Sequence, residues 1–286
     1  MQLYSALIVD VVKSRKYKDE RLLLQSLLKN SINYLNSVFK KWIIKDVVFS
    51  SGDEMQGLFL SDEAAYLYFR KLQIIVSPIK LRCGIGRGKV EFLIDGWNST
   101  EIDGLAYHNA REAINKINHK DEYFMCYKSG LGMDLIINSL LHSQDFLNER
   151  KLVTTTLIEE IVEVMHPIVL SEEMALNTNL DDLRKIFREK NKFIELSNLS
   201  KREIGESKID YEKMTVNGYV DVSTLKIDYY NDLFLDVFFK KGLSTPIANI
   251  LSTSRQNIDK RIISGRIKEI RNLDGSIILI LRKLGE

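Results

Sequence analysis

The chain has 286 residues, 45% of them hydrophobic and 28% charged, with a formal net charge of +2. That length buries a core and holds one large domain or two to three small ones, and the composition is that of a soluble globular protein. No apolar run approaches the roughly 20 residues of a membrane span, so no membrane insertion is expected. A strand pattern starting almost at the first residue predicts no signal peptide. Cys83 and Cys126 have neither zinc spacing nor disulfide density, so a reducing cytoplasm is expected. The four His residues are scattered, which argues against a His-based metal site. The net charge hides an asymmetry: from Lys240 onward ten Lys or Arg face four acids, a charge of +6, which leaves −4 for the rest. A small basic module on a mildly acidic body points to a polyanionic partner.

Residues 3–12, Leu-Tyr-Ser-Ala-Leu-Ile-Val-Asp-Val-Val, form a nearly continuous apolar run that fits a buried central strand. Asp10 near its end is anomalous, because a buried carboxylate is costly unless a cation or hydrogen bonds compensate it. The basic turn Lys13-Ser14-Arg15 follows and suits phosphates. Apolar residues then recur at helical spacing, predicting a helix over 20–39. Two short β-type runs, 45–50 and 55–60, flank Gly52-Asp53, a hairpin signal with a carboxylate at the tip. Ser61-Asp62-Glu63 opens a second helix with a cap and acids in its first turn. Residues 79–89 return as a strand whose glycines let a backbone or a ligand come close. A further strand is predicted over 90–95, a loop over 96–104, a helix over 105–117 and a last strand over 123–127.

The order strand, helix, strand, strand, helix, strand predicts an α+β fold with a ferredoxin-like βαββαβ core. In that topology the first strand lies beside the hairpin, so Asp10 and Asp53 can face each other. Two carboxylates aimed at one point repel unless a divalent cation sits between them, and oxygen ligands suit Mg²⁺ or Mn²⁺. Two such metals about 4 Å apart can orient a triphosphate and activate a hydroxyl.

Three stretches resemble the catalytic domain of class III nucleotide cyclases, whose fold is similar to polymerase palm and diguanylate cyclase domains. They are Ile8-Val9-Asp10-Val11-Val12, Gly52-Asp53-Glu54-Met55-Gln56-Gly57-Leu58-Phe59 and Leu81-Arg82-Cys83-Gly84-Ile85-Gly86-Arg87-Gly88-Lys89-Val90. The resemblance covers about residues 1–128. It implies Asp10 and Asp53 as metal ligands with help from the Val11 carbonyl. It also implies a purine nucleotide near Lys13, Ser14, Arg15, Phe49, Arg82 and Arg87, with Asp10, Asp53, Asn109 and Arg111 as catalytic candidates. More narrowly, Asp-x-Val-x-Ser-Arg at 10–15, Ser-Gly-Asp-Glu-Met-Gln-Gly-Leu-Phe at 51–59, Arg-x-Gly-Ile-Gly at 82–86 and Asp-Gly-x-Ala-Tyr-x-Asn-Ala-Arg-Glu-Ala at 103–113 resemble the SatD family of bacterial proteins.

The cyclase pattern is broken in three places. Phe49 stands where a cyclase carries a base-reading Lys or Glu. Asn109 and Arg111 are two residues apart rather than four, and so point about 200° apart on a helix. The cyclase Asn and Arg positions, counted from Gly104, hold His108 and Glu112. The cation grip is therefore expected to be intact and the phosphate clamp altered.

Helical patterns continue over 131–165 and 180–196, with a possible hairpin around Val216-Asn217-Gly218-Tyr219. A helix is predicted over 231–241. Thr245 then caps a helix with Pro246 at its first position, and Ser254 caps the next. Ile258 and Ile262 face inward, while Arg255, Gln256, Asn257, Lys260 and Arg261 face outward as candidate DNA-reading residues. Asn272 to Arg282 reads as a possible wing hairpin.

The expected domains are 1–128, a nucleotide cyclase-like domain; 129–230, a helical connector; and 231–286, a winged helix-turn-helix. The expected function is a regulator that responds to a nucleotide with Mg²⁺ and binds double-stranded DNA as a homodimer. The alternative is an active cyclase or nucleotidyltransferase. A purely structural dimerisation protein leaves Asp10 unexplained.

Overall fold

The computed structural model describes residues 2–118, 123–149, 153–197, 209–227, 232 and 236–285. The chain divides into two compact units, Met1–Glu149 with Ile277–Glu286, and Arg150–Ser276.

The first unit is α+β. Its elements are β1 (Tyr4–Val11), α1 (Arg21–Val38), β2 (Ile43–Ser51), β3 (Glu54–Phe59), α2 (Asp62–Val76), β4 (Leu81–Gly88), α3 (Leu105–Ile117), β5 (Met125–Lys128) and α4 (Asp134–Glu149). The sheet is mixed, in the order β2-β3-β1-β4-β5, antiparallel except where β5 joins β4 in parallel. The apolar run of β1 is central as its composition demands: Ala6 to Val9 are at most 1% exposed. One face carries α1 and α2, where Phe39 and Phe59 meet Tyr68 edge-on at 5.2 and 5.1 Å. The other face carries α3, which closes a cluster of Ala6, Ile8, Leu58, Ala106, Ala110 and Ile114.

The β4 glycines admit a backbone. A Cβ on Gly84 would meet the Ala110 carbonyl oxygen at 2.2 Å, and one on Gly88 would meet the Ala106 nitrogen at 2.6 Å. The α3 helix therefore lies directly on β4, with no layer of side chains between them.

Residues 90–95 are not a strand. The chain leaves the sheet after Gly88, and Lys45 Nζ holds the following loop through the Ile94 and Trp97 carbonyls at 2.7 and 2.8 Å. The first unit also runs past residue 128, because α4 is stitched to β5. Asn138 exchanges two 2.8 Å hydrogen bonds with the Tyr127 backbone. Buried Asp145 accepts from the Phe124 and Met125 amides at 2.8 and 3.3 Å.

The second unit contains α5 (Val153–Met165), β6 (Ile168–Val169), α6 (Glu172–Leu176), α7 (Leu180–Leu196), β7 (Val220–Asp221), α8 (Ser244–Ile250) and α9 (Arg255–Ser264), followed by α10 (Ile267–Gly285), which begins there. This unit takes in most of the expected connector and the tail as far as Ser276. Its core includes a buried ion pair between Lys190 and Glu160.

Three expectations fail in this unit. The Asn217-Gly218 dipeptide makes no hairpin: the Asn217 amide bonds the Met165 carbonyl at 2.7 Å, and β7 pairs in parallel with β6. Residues 236–241 are not helical, and 231 and 233–235 lie outside the described residues. The Phe238 carbonyl is taken instead by Arg271 Nε at 2.9 Å. The expected wing is part of α10. Its Asn-Leu-Asp-Gly-Ser sequence resembles a turn, yet Ile267, Ile270, Ile277, Ile278 and Leu281 are buried at helical spacing. A Cβ on Gly275 would meet the Phe238 ring at 2.1 Å, so this glycine serves packing within a helix. Helix α8 starts at Ser244, so Pro246 is its third residue, where its missing N–H still costs no helical bond.

Candidate functional site

The loop joining β2 to β3 is Gly52-Asp53, closed by the pairing of Ser51 with Glu54. Gly52 has φ +61°, a conformation that favours glycine and suits a two-residue hairpin. The β1–β3 register runs to Val9 opposite Met55. One further step sets Asp10 opposite Glu54, beside the tip that carries Asp53. On the other flank Asp10 pairs with Arg82 of β4.

Asp10 is only partly exposed, with a side-chain accessibility of 25%, and Arg82 Nε lies 3.3 Å from its Oδ1. That geometry is an ion pair without a hydrogen bond, and Oδ1 is buried with no hydrogen-bond partner. Burial pushes the Asp10 carboxyl above its usual range. Arg82 opposes the shift, and Asp53 and Glu54 add to it. Asp53 and Glu54 thus lie near enough to Asp10 to act on its charge.

Glu54 is answered by Arg111 from α3. Nη2 donates to Oε1 at 2.8 Å, and Nη1 donates to Oε2, a forked pair. Ser50 Oγ donates to Oε1 at 2.8 Å as well. The Arg111 hydrogen bonds hold the Glu54 carboxyl below its usual range.

The other expected residues divide. Lys13 follows β1 at the Asp10 end in a left-handed conformation, φ 56°, and starts a short 3-10 turn over Ser14–Tyr17. Lys13 and Arg15 are exposed there, whereas Val11 is buried. Arg82 also donates to the Asn118 carbonyl. Phe49 pairs with Met55 and so shares the sheet face opposite Asp10 and Glu54.

Arg87 and Asn109 are not brought to the cluster. Five residues along β4 from Arg82, Arg87 pairs with the buried Asp62 at 2.8 Å. Asp62 also accepts from Tyr127 at 2.9 Å and from Ser5, so it is a buried hub rather than an exposed first-turn acid. Asn109 faces β4 and donates to the Arg87 carbonyl at 2.8 Å, a packing role. His108 sits 3.4 Å from Asp103, and Glu112 pairs with Lys128, both at the surface.

Glu54 is a site residue that none of the sequence motifs assigns a role. Its signal was strand alternation, since Glu54, Gln56 and Leu58 share the face under α3. Among the described residues, no group of three or more His, Cys, Asp or Glu could hold a metal by itself.

In the second unit, Ser254 Oγ caps α9 by accepting from the Asn257 amide at 3.2 Å. Ile258 and Ile262 are buried, Arg261 is half-buried, and Arg255, Gln256, Asn257 and Lys260 are exposed. Residues 251–254 form the short connection from α8.

No helix among the described residues is long and apolar enough to cross a membrane. No curated protein matches the chain. The structure is similar to that of a bacterial light-regulated adenylyl cyclase, at 14% identity and a TM-score of 0.31, over 44% of this chain and 75% of that one. The family model of the SatD family matches residues 4–209. With most of its length so matched, the chain belongs to the SatD family.

Proposed function

We propose that this protein is a cytoplasmic, nucleotide-responsive regulator that binds DNA. In this reading the first unit is a nucleotide cyclase-like domain that binds a purine nucleotide with Mg²⁺, or Mn²⁺, through Asp10 and Asp53. The Val11 carbonyl is a further ligand. The observation that carries the reading is Asp10 at the end of a buried strand, its Oδ1 without a hydrogen bond and answered only by the Arg82 ion pair, its carboxyl raised by burial and by Asp53 and Glu54. Such a cluster is unfavourable alone and is relieved by a divalent cation. Asp10, Asp53 and Glu54 against Arg82 and Arg111 leave one net negative charge, which a cation reverses. The bound metal supplies positive charge that attracts and orients the phosphates. Lys13 and Arg15, exposed at the same end, add to that attraction.

The second unit binds double-stranded DNA through the exposed start of α9, where Arg255, Gln256, Asn257 and Lys260 offer donors and acceptors to base edges and phosphates. Arg261 is a flanking contact. One such module binds weakly, so the working form is a homodimer with two half-sites.

A second reading is an active cyclase or nucleotidyltransferase, and Arg111 favours it. The phosphate clamp expected from the cyclase pattern is absent at Glu112, but Arg111, the residue before it, brings a guanidinium to the carboxylates. Thermal shift with ATP and GTP, with and without Mg²⁺, on wild type and Asp53→Ala tests the binding reading. Chromatography of labelled nucleotide after incubation separates binder from enzyme. Unchanged nucleotide supports the first reading, and a cyclic or transferred product the second.

A further inference from the structure

We propose that Arg111 is the phosphate-gripping residue of this site, and that Glu54 occupies its guanidinium in the phosphate's place until a nucleotide arrives. The inference rests on the nucleotide reading of the Asp10–Asp53 cluster and adds a residue and a control to it.

Three arginines of the sheet and α3 are candidates for phosphate contact, and the structure separates them. Arg87 is on the far face of β4, paired with buried Asp62. Arg82, 14% exposed, is engaged by Asp10 and the Asn118 carbonyl. Arg111 is 45% exposed, stands at the cluster, and is held through Glu54.

Its position is fixed from below. Because α3 rests directly on glycine backbone, the Arg111 main chain lies close over the sheet and cannot move further toward it. What can move is the side chain, whose planar fork meets a carboxylate and a phosphate with the same two parallel hydrogen bonds. Glu54 is thus an internal competitor for the group a nucleotide needs.

Release of Arg111 has a consequence for Glu54. Its carboxylate would then face Asp10 and Asp53 without a counter-charge of its own. A divalent cation supplies that charge, so the phosphate can take Arg111 most readily when metal arrives with it. Metal dependence would be partly Glu54's doing.

The test uses the full chain, with ATP and GTP as probes, by isothermal titration with Mg²⁺ and with EDTA. Glu54→Gln should tighten metal-free nucleotide binding by about two- to five-fold, the range of one partly exposed ion pair, and should shrink the Mg²⁺ effect. Arg111→Gln should weaken Mg²⁺-nucleotide binding by about ten-fold or more, as expected for a charged hydrogen-bonding partner. The double variant should behave like Arg111→Gln, because Glu54 then has nothing to withhold.

Glu54→Gln binding metal-free nucleotide no more tightly than wild type would overturn the proposal, as would Arg111→Gln binding like wild type. If Arg111→Gln fails to fold, the Glu54→Gln comparison still decides. Wild type that binds neither nucleotide defeats the underlying reading itself. Wild type that binds while Glu54→Gln changes nothing defeats only the inference.

Discussion

A Cβ on Gly86 would stand 2.0 Å from the backbone nitrogen of Ala110 and 2.3 Å from the Ala106 carbonyl oxygen. Neither neighbour is a side chain that can rotate away. The close approach of β4 and α3 therefore depends on this glycine, and the reach of Arg111 to Glu54 depends on that approach. Gly86→Ala should cost about 3 kcal/mol of stability, the upper range of overpacking in a core. Denaturant unfolding measures it, and a loss below about 1 kcal/mol would show that α3 can shift without penalty.

Asp145 gives the first unit a pH dependence. Burial pushes its carboxyl up to about 7, against a usual value of 3.8, and the hydrogen bonds from Phe124 and Met125 offset only part of this. The folded state then holds a proton that the unfolded chain has lost. Stability from this group is therefore present at about pH 4 and falls as pH rises towards about 7. The loss is on the order of 4 kcal/mol at most. In Asp145→Asn the amide oxygen can still accept both backbone hydrogen bonds without charge. This variant should unfold at higher denaturant than wild type at pH 8, with a flatter profile from pH 4 to 7. An unchanged profile would show that Asp145 stays ionised in the fold.

The α9 surface predicts how DNA affinity depends on charge. Arg255 and Lys260 are exposed, and Arg255 has only a 3.5 Å ion pair with Asp259 to give up. Arg255→Ala and Lys260→Ala should each weaken binding in a gel shift. Each cation removed from a phosphate should lower the salt slope by about 1. Binding unchanged in both affinity and salt dependence would remove α9 as the DNA-facing surface.

Much of this architecture is legible in the sequence, and the parts that are not have physical reasons. Helices α3 and α7 are readable to the residue because their apolar spacing is regular. The hairpin is readable because Gly52 carries the positive φ that its turn needs. The partner of Arg111 is not readable, since Glu54 lies 57 residues away and only the tertiary fold joins them. Asn109 is misleading for a related reason: its amide serves the Arg87 backbone, a demand that α3 packing creates. In the tail, turn-forming residues at 272–276 mask the longer helical spacing of the isoleucines around them. Strands β6 and β7, two residues each, are too short to carry any periodicity.

The carboxylate pair makes a prediction of its own. Because burial raises the Asp10 carboxyl, its ionised form destabilises the folded state as pH rises above 3.8. Asp10→Asn should therefore melt at or above the wild-type temperature at pH 7 and yet lose its response to Mg²⁺-nucleotide. A variant that melts lower while keeping that response would mark Asp10 as a structural partner of Arg82.

Isothermal titration of ATP and GTP, with and without Mg²⁺, into wild type and Asp53→Ala tests the metal–nucleotide account most directly. Asp53 sits in the two-residue turn, where alanine leaves the strands paired. The account predicts Mg²⁺-dependent binding of at least one nucleotide by wild type, weakened by about ten-fold or more in Asp53→Ala. No Mg²⁺-dependent binding by wild type, or equal binding by the variant, would contradict it.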